Sequence, residues 1–259
     1  MTVILNTIRK SFLLLLFFFS YYLQAQLVNI ESKRMHTDSL RFVLNADMLF
    51  NYTDNNGAYI LQIRSNVGAQ LKSKNLKSIY FLIGNINLIR SRNEDFQNSY
   101  FVHARYNYKI SKLLRVESFL QNQNNKKLTI NERNLFGLGL RFKLFSTTNT
   151  QAYLGNAYMY ETEKISSTNQ KLYNHRNSSY ISLNQSFKKI SLSITGTLYF
   201  QPLYSNISNH RVLSQFKADL PLTKKISFSA LYNHSVINFN SNLEDNKFSN
   251  VNFGFTLKV

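Results

Sequence analysis

Alternation of apolar and polar residues, repeated from about residue 40 to the C-terminus, constrains this chain more than any other feature. From Arg41 to Tyr52, Phe42, Leu44, Ala46, Met48, Phe50 and Tyr52 are apolar, whereas Arg41, Asn45, Asp47 and Asn51 hold odd positions. A period of two is a strand signature, because successive side chains leave opposite faces of a pleated backbone. The pattern recurs over 61–71, 80–88, 100–108, 114–120, 136–144, 152–160, 181–183, 190–200, 212–220, 226–232 and 251–259. That makes about twelve strands, an even number, as an antiparallel up-and-down barrel of one chain requires.

The connections alternate as well. Ser73 to Lys77, Ser111-Lys112, Ser146 to Asn149, Lys188-Lys189 and Pro221 to Lys225 are short. Thr53 to Ala58, Ser91 to Asn98, Asn122 to Asn131, Thr162 to Asn177, Gln201 to His210 and Asn238 to Lys247 are mostly longer and polar. Short turns at one rim and long loops at the other are the asymmetry of outer-membrane barrels, which a Greek-key sandwich has no reason to show.

Alternation cannot by itself say which face meets water, since a soluble β-protein shows the same pattern. Three features favour the inverted arrangement, apolar side out. The first is the N-terminus. Arg9 and Lys10 precede an unbroken apolar run from Phe12 to Phe19, and Gln24-Ala25-Gln26 offers a small residue for cleavage. This pattern predicts a secretory signal peptide over residues 1–25, too short and too interrupted to span a bilayer as a helix. A short periplasmic segment over 26–39 and a barrel over 40–259 follow. The second feature is the loop asymmetry. The third is aromatic residues near strand ends (Tyr52, Tyr80, Tyr100, Tyr108, Phe142, Tyr158, Tyr160, Phe200 and Tyr232), where interfacial girdles need them. A mean hydropathy of -0.26 suits a polar lumen and polar loops. The expected location is therefore the bacterial outer membrane, in contact with its lipid and lipopolysaccharide.

By parity the lumen receives Arg41, Arg64, Lys72, Arg105, Lys109, Arg115, Arg133, Arg141, Lys143, Lys217 and Lys258 against Asp47, Glu117, Glu161 and Asp219. His103 joins them as a solvated lumen residue. Pairing Leu144 with Thr150 would place Arg133 opposite Glu161, and the turn near Ser111 would set Arg105 opposite or diagonal to Glu117. The excess of cations makes an anion-attracting pore the leading reading. Cross-strand pairing that merely fills a narrow barrel is the alternative. Gly137 and Gly139 are inward-facing strand glycines, giving a bend or room for a bulky neighbour. Basic loop residues Lys164, Lys171 and Arg176 are candidates for lipopolysaccharide phosphates.

Other chemistry finds little support. The absence of Cys removes disulfides, Cys-ligated zinc, iron-sulfur clusters and thiol catalysis, and no cofactor is expected. His36, His103, His175, His210 and His234 show no metal-ligand spacing. His234-Ser235 are neighbours on a strand and so point to opposite faces, unable to act as base and nucleophile. The chain carries a formal charge of +18, or +16 once Arg9 and Lys10 leave with the signal peptide. These charges are spread over many strands without a nucleic-acid module, so no nucleic-acid partner is expected.

The run from Asn134 through Gly137, Gly139 and Arg141 to Phe142, with Ala152-Tyr153-Leu154-Gly155-Asn156-Ala157-Tyr158-Met159-Tyr160-Glu161, resembles the YdiY-like family of salt-induced outer-membrane proteins. The resemblance rests on the middle third, Tyr100 to Glu163. It implies an outer-membrane barrel of unknown function and a link to envelope or osmotic stress, and supplies no catalytic or binding residues. The C-terminal Phe253, Phe255, Leu257 and Val259 resemble the terminal-strand signal read by the outer-membrane assembly machinery, although the last residue is not aromatic. The resulting expectation is a twelve-stranded, porin-like barrel that passes or binds small polar or anionic solutes. A closed structural or surface-interaction barrel is second, and an outer-membrane lipid-modifying enzyme third.

Overall fold

The computed structural model describes residues 41–55, 58–91, 99–125, 130–165, 170–238 and 246–258. The expected signal peptide and the segment over 26–39 lie outside them. Twelve strands close into one antiparallel barrel in which every strand pairs with its sequence neighbours and β1 pairs with β12. They are β1 (Phe42–Asn55), β2 (Ala58–Lys72), β3 (Ser78–Ser91), β4 (Ser99–Lys109), β5 (Leu114–Asn125) and β6 (Ile130–Ser146). The circuit continues with β7 (Thr150–Ile165), β8 (Lys171–Phe187), β9 (Leu192–Pro202), β10 (His210–Pro221), β11 (Ile226–Asn238) and β12 (Asn246–Lys258). The twelve-stranded up-and-down barrel expected from alternation is the fold.

Every strand exposes large apolar side chains on the outside, for example Phe50, Val67, Ile86, Val102, Leu120 and Leu138 on the first six. Leu154, Ile181, Leu198, Phe216, Phe228 and Phe255 continue the belt on the rest. An apolar band around the whole circumference far exceeds the patches a soluble monomer exposes, so hydrocarbon must cover it. Charged residues meanwhile lie inside. Leu120 is 60% exposed on β5, while Glu117 on the same strand is 4% exposed, and that contrast separates a transmembrane barrel from a soluble one. Tyr80 meets Tyr106 in a tilted pair at the short-turn end, and Tyr158 stacks on Tyr204 at the other, where amphipathic rings suit the interface. The side chain of Tyr52 lies outside the described residues.

The short turns are built as expected. Between β2 and β3, Ser78 N–H donates to Ser73 Oγ and Leu76 N–H to the Ser73 carbonyl, with Leu76 at φ 57. A single 3-10 turn, Lys188–Ile190, joins β8 to β9 and ends on Ser191 in the left-handed region. At the opposite rim several strands outrun expectation. The β7–β8 ladder reaches Thr162↔Tyr173, Glu163↔Leu172 and Lys164↔Lys171, inside a span read from sequence as loop. Backbone pairing continues beyond the apolar belt, where both faces can be polar and the period-two signal fades.

Candidate functional site: the charged lumen

The inward face carries two charged layers separated by apolar packing. Toward the long-loop rim, Glu161 on β7 is fully buried and collects three arginines from three strands. Arg133 on β6 donates from Nε at 2.9 Å, and Arg211 on β10 is bidentate at 2.7 and 3.1 Å. Arg176 on β8 places Nε 3.5 Å away. Glu163, one inward step along β7, takes Arg211 at 3.3 Å and Arg133 at 3.5 Å. Three cations against two anions leave this layer at +1 when all are ionised. Asn174 Nδ2 also donates to Glu161 at 3.1 Å.

Toward the short-turn rim, Glu117 on β5 accepts from Arg105 Nη1 at 3.1 Å and from the Tyr180 hydroxyl at 3.0 Å. Arg141 bonds that same hydroxyl at 3.1 Å, approaches Glu117 at 3.8 Å and lies 3.8 Å above the Tyr153 ring. Further round the wall Lys217 bridges Asp219 at 3.1 Å and Asp47 at 3.9 Å. Between the layers sit Phe119, Leu135, Ala157 and Met159. A cavity of about 40 Å³ adjoins them, lined among others by Arg105, Gln121, Arg133 and Tyr199. It has room for roughly three waters, at 10–15 Å³ of centre volume each.

Two glycines make this packing possible. A Cβ on Gly137 would fall 2.0 Å from Phe119 Cζ, and one on Gly155 would fall 2.0 Å from Tyr180 Cε1. The ring edge of Phe119 therefore occupies space that any other residue would fill. Tyr180 reaches Glu117 and Arg141 only because Gly155 clears its path.

A profile of the family described as protein of unknown function, DUF481, matches residues 28–258. The chain belongs to this family. No curated protein matches its sequence. Among solved structures, the NanC porin aligns with TM-score 0.53 at 9% identity, covering 82% of this chain and 98% of its own. An outer-membrane channel from Pseudomonas putida F1 aligns with TM-score 0.54 at 8% identity, covering 84% and 95%. At such identities the likeness concerns fold. This DUF481 chain has the barrel architecture of outer-membrane porins and channels.

The residues singled out from sequence divide as follows. Arg64, His103, Arg105, Glu117, Arg133, Arg141 and Glu161 are buried, and Arg115, Lys143, Lys217 and Asp219 are half-buried on the same inward phase. His103 is not solvated: it is fully buried, stacked between Phe101 and Phe119, with Nδ1 on Gln121 at 3.1 Å and Nε2 accepting from Arg105 at 3.3 Å. Arg133 faces Glu163 rather than Glu161, whose direct partner is Leu135. A bulge between Lys143 and Phe145 and a turn closing at Ser146↔Gln151 displace the expected register by two residues. Two residues preserve the facing, so Arg133 still reaches Glu161, diagonally. Arg105, opposite Phe119, is likewise diagonal to Glu117.

Three lumen groups escaped the sequence reading. Arg176, expected in an exterior loop, is buried inside the barrel, and Glu163 fell in the same expected loop. Arg211 shares the odd phase of Gln215 and Lys217, and extending that phase one turn of the pleat would have found it. Arg41 is exposed ahead of β1, and the Lys258 side chain lies outside the described ones. His234 does not meet Ser235; its Nδ1 lies 2.7 Å from Ser249 Oγ on β12. No group of three or more metal-ligating side chains occurs among the described residues.

Proposed function

We propose that this DUF481 barrel sits in the bacterial outer membrane as a narrow, cation-lined conduit for small polar or anionic solutes. The observation that carries the reading is the lumen inventory. Arg64, Lys72, Arg105, Lys109, Arg115, Arg133, Arg141, Lys143, Arg176, Arg211 and Lys217 face inward against Asp47, Glu117, Glu161, Glu163 and Asp219, eleven to five among the described residues. Even with each acid neutralised by one base, six cations remain. A low-dielectric wall lined by one sign of charge concentrates the opposite ion and repels its own. Lys109, Arg115 and Arg141 are register neighbours across β4, β5 and β6, which sets like charges side by side at the short-turn mouth.

Packing sets the scale of passage. Among the described residues, the two charged layers and the apolar residues between them crowd the lumen, so solutes pass when these side chains part. That same packing favours a second reading, a closed barrel with a structural or surface role. The likeness of fold to the NanC porin and the Pseudomonas putida channel supports conduction, and no catalytic role is assigned. Exposed Lys164 and Lys171, opposite each other at the long-loop rim, suit lipopolysaccharide phosphates. The outward Phe253, Phe255 and Leu257 suit recognition by the assembly machinery. The tie to envelope or osmotic stress rests on the family resemblance. Planar-bilayer recording under a salt gradient tests conduction. Small steps with an anion-selective reversal potential are expected. Cation selectivity would overturn the proposal, and silence would leave the closed barrel.

A further inference from the structure

We propose that Arg64 anchors a binding site for a small oxyanion inside the lumen. Its side chain is 3% exposed, and Nε and both Nη atoms have no acceptor among the described residues. The other fully buried inward arginines are all engaged: Arg105 by Glu117, Arg141 by Tyr180, and Arg133, Arg176 and Arg211 by Glu161. Arg64 is thus a desolvated cation whose counter-charge the described chain does not supply. Buried charges are ordinarily paired, because water that would otherwise solvate them has been removed.

Among the described residues, the wall around Arg64 offers its guanidinium no hydrogen-bonded acceptor. Its register partner on β1 is Leu49, which has no polar side-chain atom. Its partner on β3 is Asn87, whose Oδ1 already accepts from Gln62 at 2.8 Å. One inward step along β2, Asn66 Oδ1 accepts from Asn85 Nδ2. The neighbouring amides therefore bond to one another and leave the guanidinium facing inward. Glu117, Glu161 and Glu163, the buried acids, are already shared among other arginines.

The chemistry of the fork selects the ligand. A guanidinium presents coplanar N–H donors that match two oxygens of a carboxylate or planar inorganic oxyanion, an arrangement a lysine ammonium cannot reproduce. The surrounding cations favour a negative ligand and reject a positive one. Crowding limits its size: Gln62, Asn66, Asn85 and Asn87 on the same stretch of wall are all buried, so formate, acetate or nitrate is the right scale and a sugar acid is not. The inference rests on the same cation-rich lumen as the conduction reading, and it locates the residue that would hold the ion.

The test reads binding without current. Full-length barrel in detergent is heated with increasing acetate or nitrate at constant ionic strength, and the midpoint for loss of the compact, unboiled gel form is recorded. Wild type, Arg64→Met and Arg64→Lys are compared, so that general salt effects cancel. A ligand bound only to the folded state at ten times its dissociation constant should raise the wild-type midpoint by about 3 to 6 °C. Arg64→Met should fold and show no such rise, while Arg64→Lys should keep a reduced rise without preference for oxyanions over chloride. Equal rises in wild type and Arg64→Met would overturn the site, as would no rise in wild type. If Arg64→Met fails to fold, equal oxyanion preference in Arg64→Lys and wild type overturns it. Should bilayers stay silent while the wild-type rise depends on Arg64, conduction falls and the site stands.

Discussion

Replacing Glu161 by Gln probes the most heavily connected group in the lumen. Three arginines converge on this carboxylate, one of them bidentate at 2.7 and 3.1 Å, and all four side chains are nearly inaccessible to solvent. Gln keeps the shape and removes the charge, so the layer moves from +1 to +2. Glu163 then becomes the nearest remaining counter-charge, at 3.3 Å from Arg211 and 3.5 Å from Arg133. Breaking a buried ion pair by removing one partner costs about 3–5 kcal/mol, since the abandoned charge stays buried. At about 2–4 °C per kcal/mol for a chain of this size, the midpoint should fall by about 6 to 20 °C. The assay is the temperature at which the compact gel form is lost, supported by far-ultraviolet circular dichroism. A second change, Arg211→Gln, restores the layer to +1 and should recover part of the loss, which a double-mutant cycle would show as favourable coupling. A Glu161→Gln midpoint within about 2 °C of wild type would refute the claim that these charges depend on one another.

Three further outcomes follow from the fold. Closed barrels have no unpaired edge, so unboiled protein should migrate faster than boiled protein; identical migration with protease sensitivity throughout would contradict closure. Gly137→Val should destabilise the barrel by about 1–3 kcal/mol through overpacking against Phe119, and Phe119→Ala in the same chain should recover much of it. Failure of that rescue in thermal melts would show that Phe119 does not set the cost. Leu120→Arg on the outward belt should cost about 2–4 kcal/mol if it lies near the bilayer midplane, whereas an unchanged midpoint would place that face in water.

Strand number, topology and facing were legible because an apolar belt imposes a strict period on every strand that crosses it. Phe136, Leu138, Leu140 and Phe142 point outward, while Gly137 and Arg141 are buried within, as their alternation requires. The long-loop ends were not legible for the same reason. Beyond the belt, Glu163 and Leu172 pair where hydrophobicity no longer marks a face, and the buried, inward member of the pair is the charged one. The Arg133 register was missed because neither the turn closing at Ser146↔Gln151 nor the bulge near Lys143 leaves a mark in composition. The buried state of His103 depends on the inward Phe101 and Phe119 that flank it, apolar rings for which an expected polar lumen has no place.

The junction of β1 with β12 has a consequence for how the barrel comes into being. Eleven of its twelve strand pairings join hairpin neighbours, which can zip one after another as the chain condenses. The twelfth must bring Asn45 beside Lys258, across nearly the whole described chain, and among the described residues its register runs from there to Phe50↔Phe253. The adjacent β1–β2 ladder, by comparison, runs from Phe42↔Leu71 to Asn55↔Ala58. Loop-closure entropy makes such a distant contact the late, slow event of assembly. The shortness of the same ladder makes it the natural place for disassembly to begin. The lifetime of the folded barrel in lipid should therefore depend on the short clasp between β1 and β12 as well as on its buried arginines.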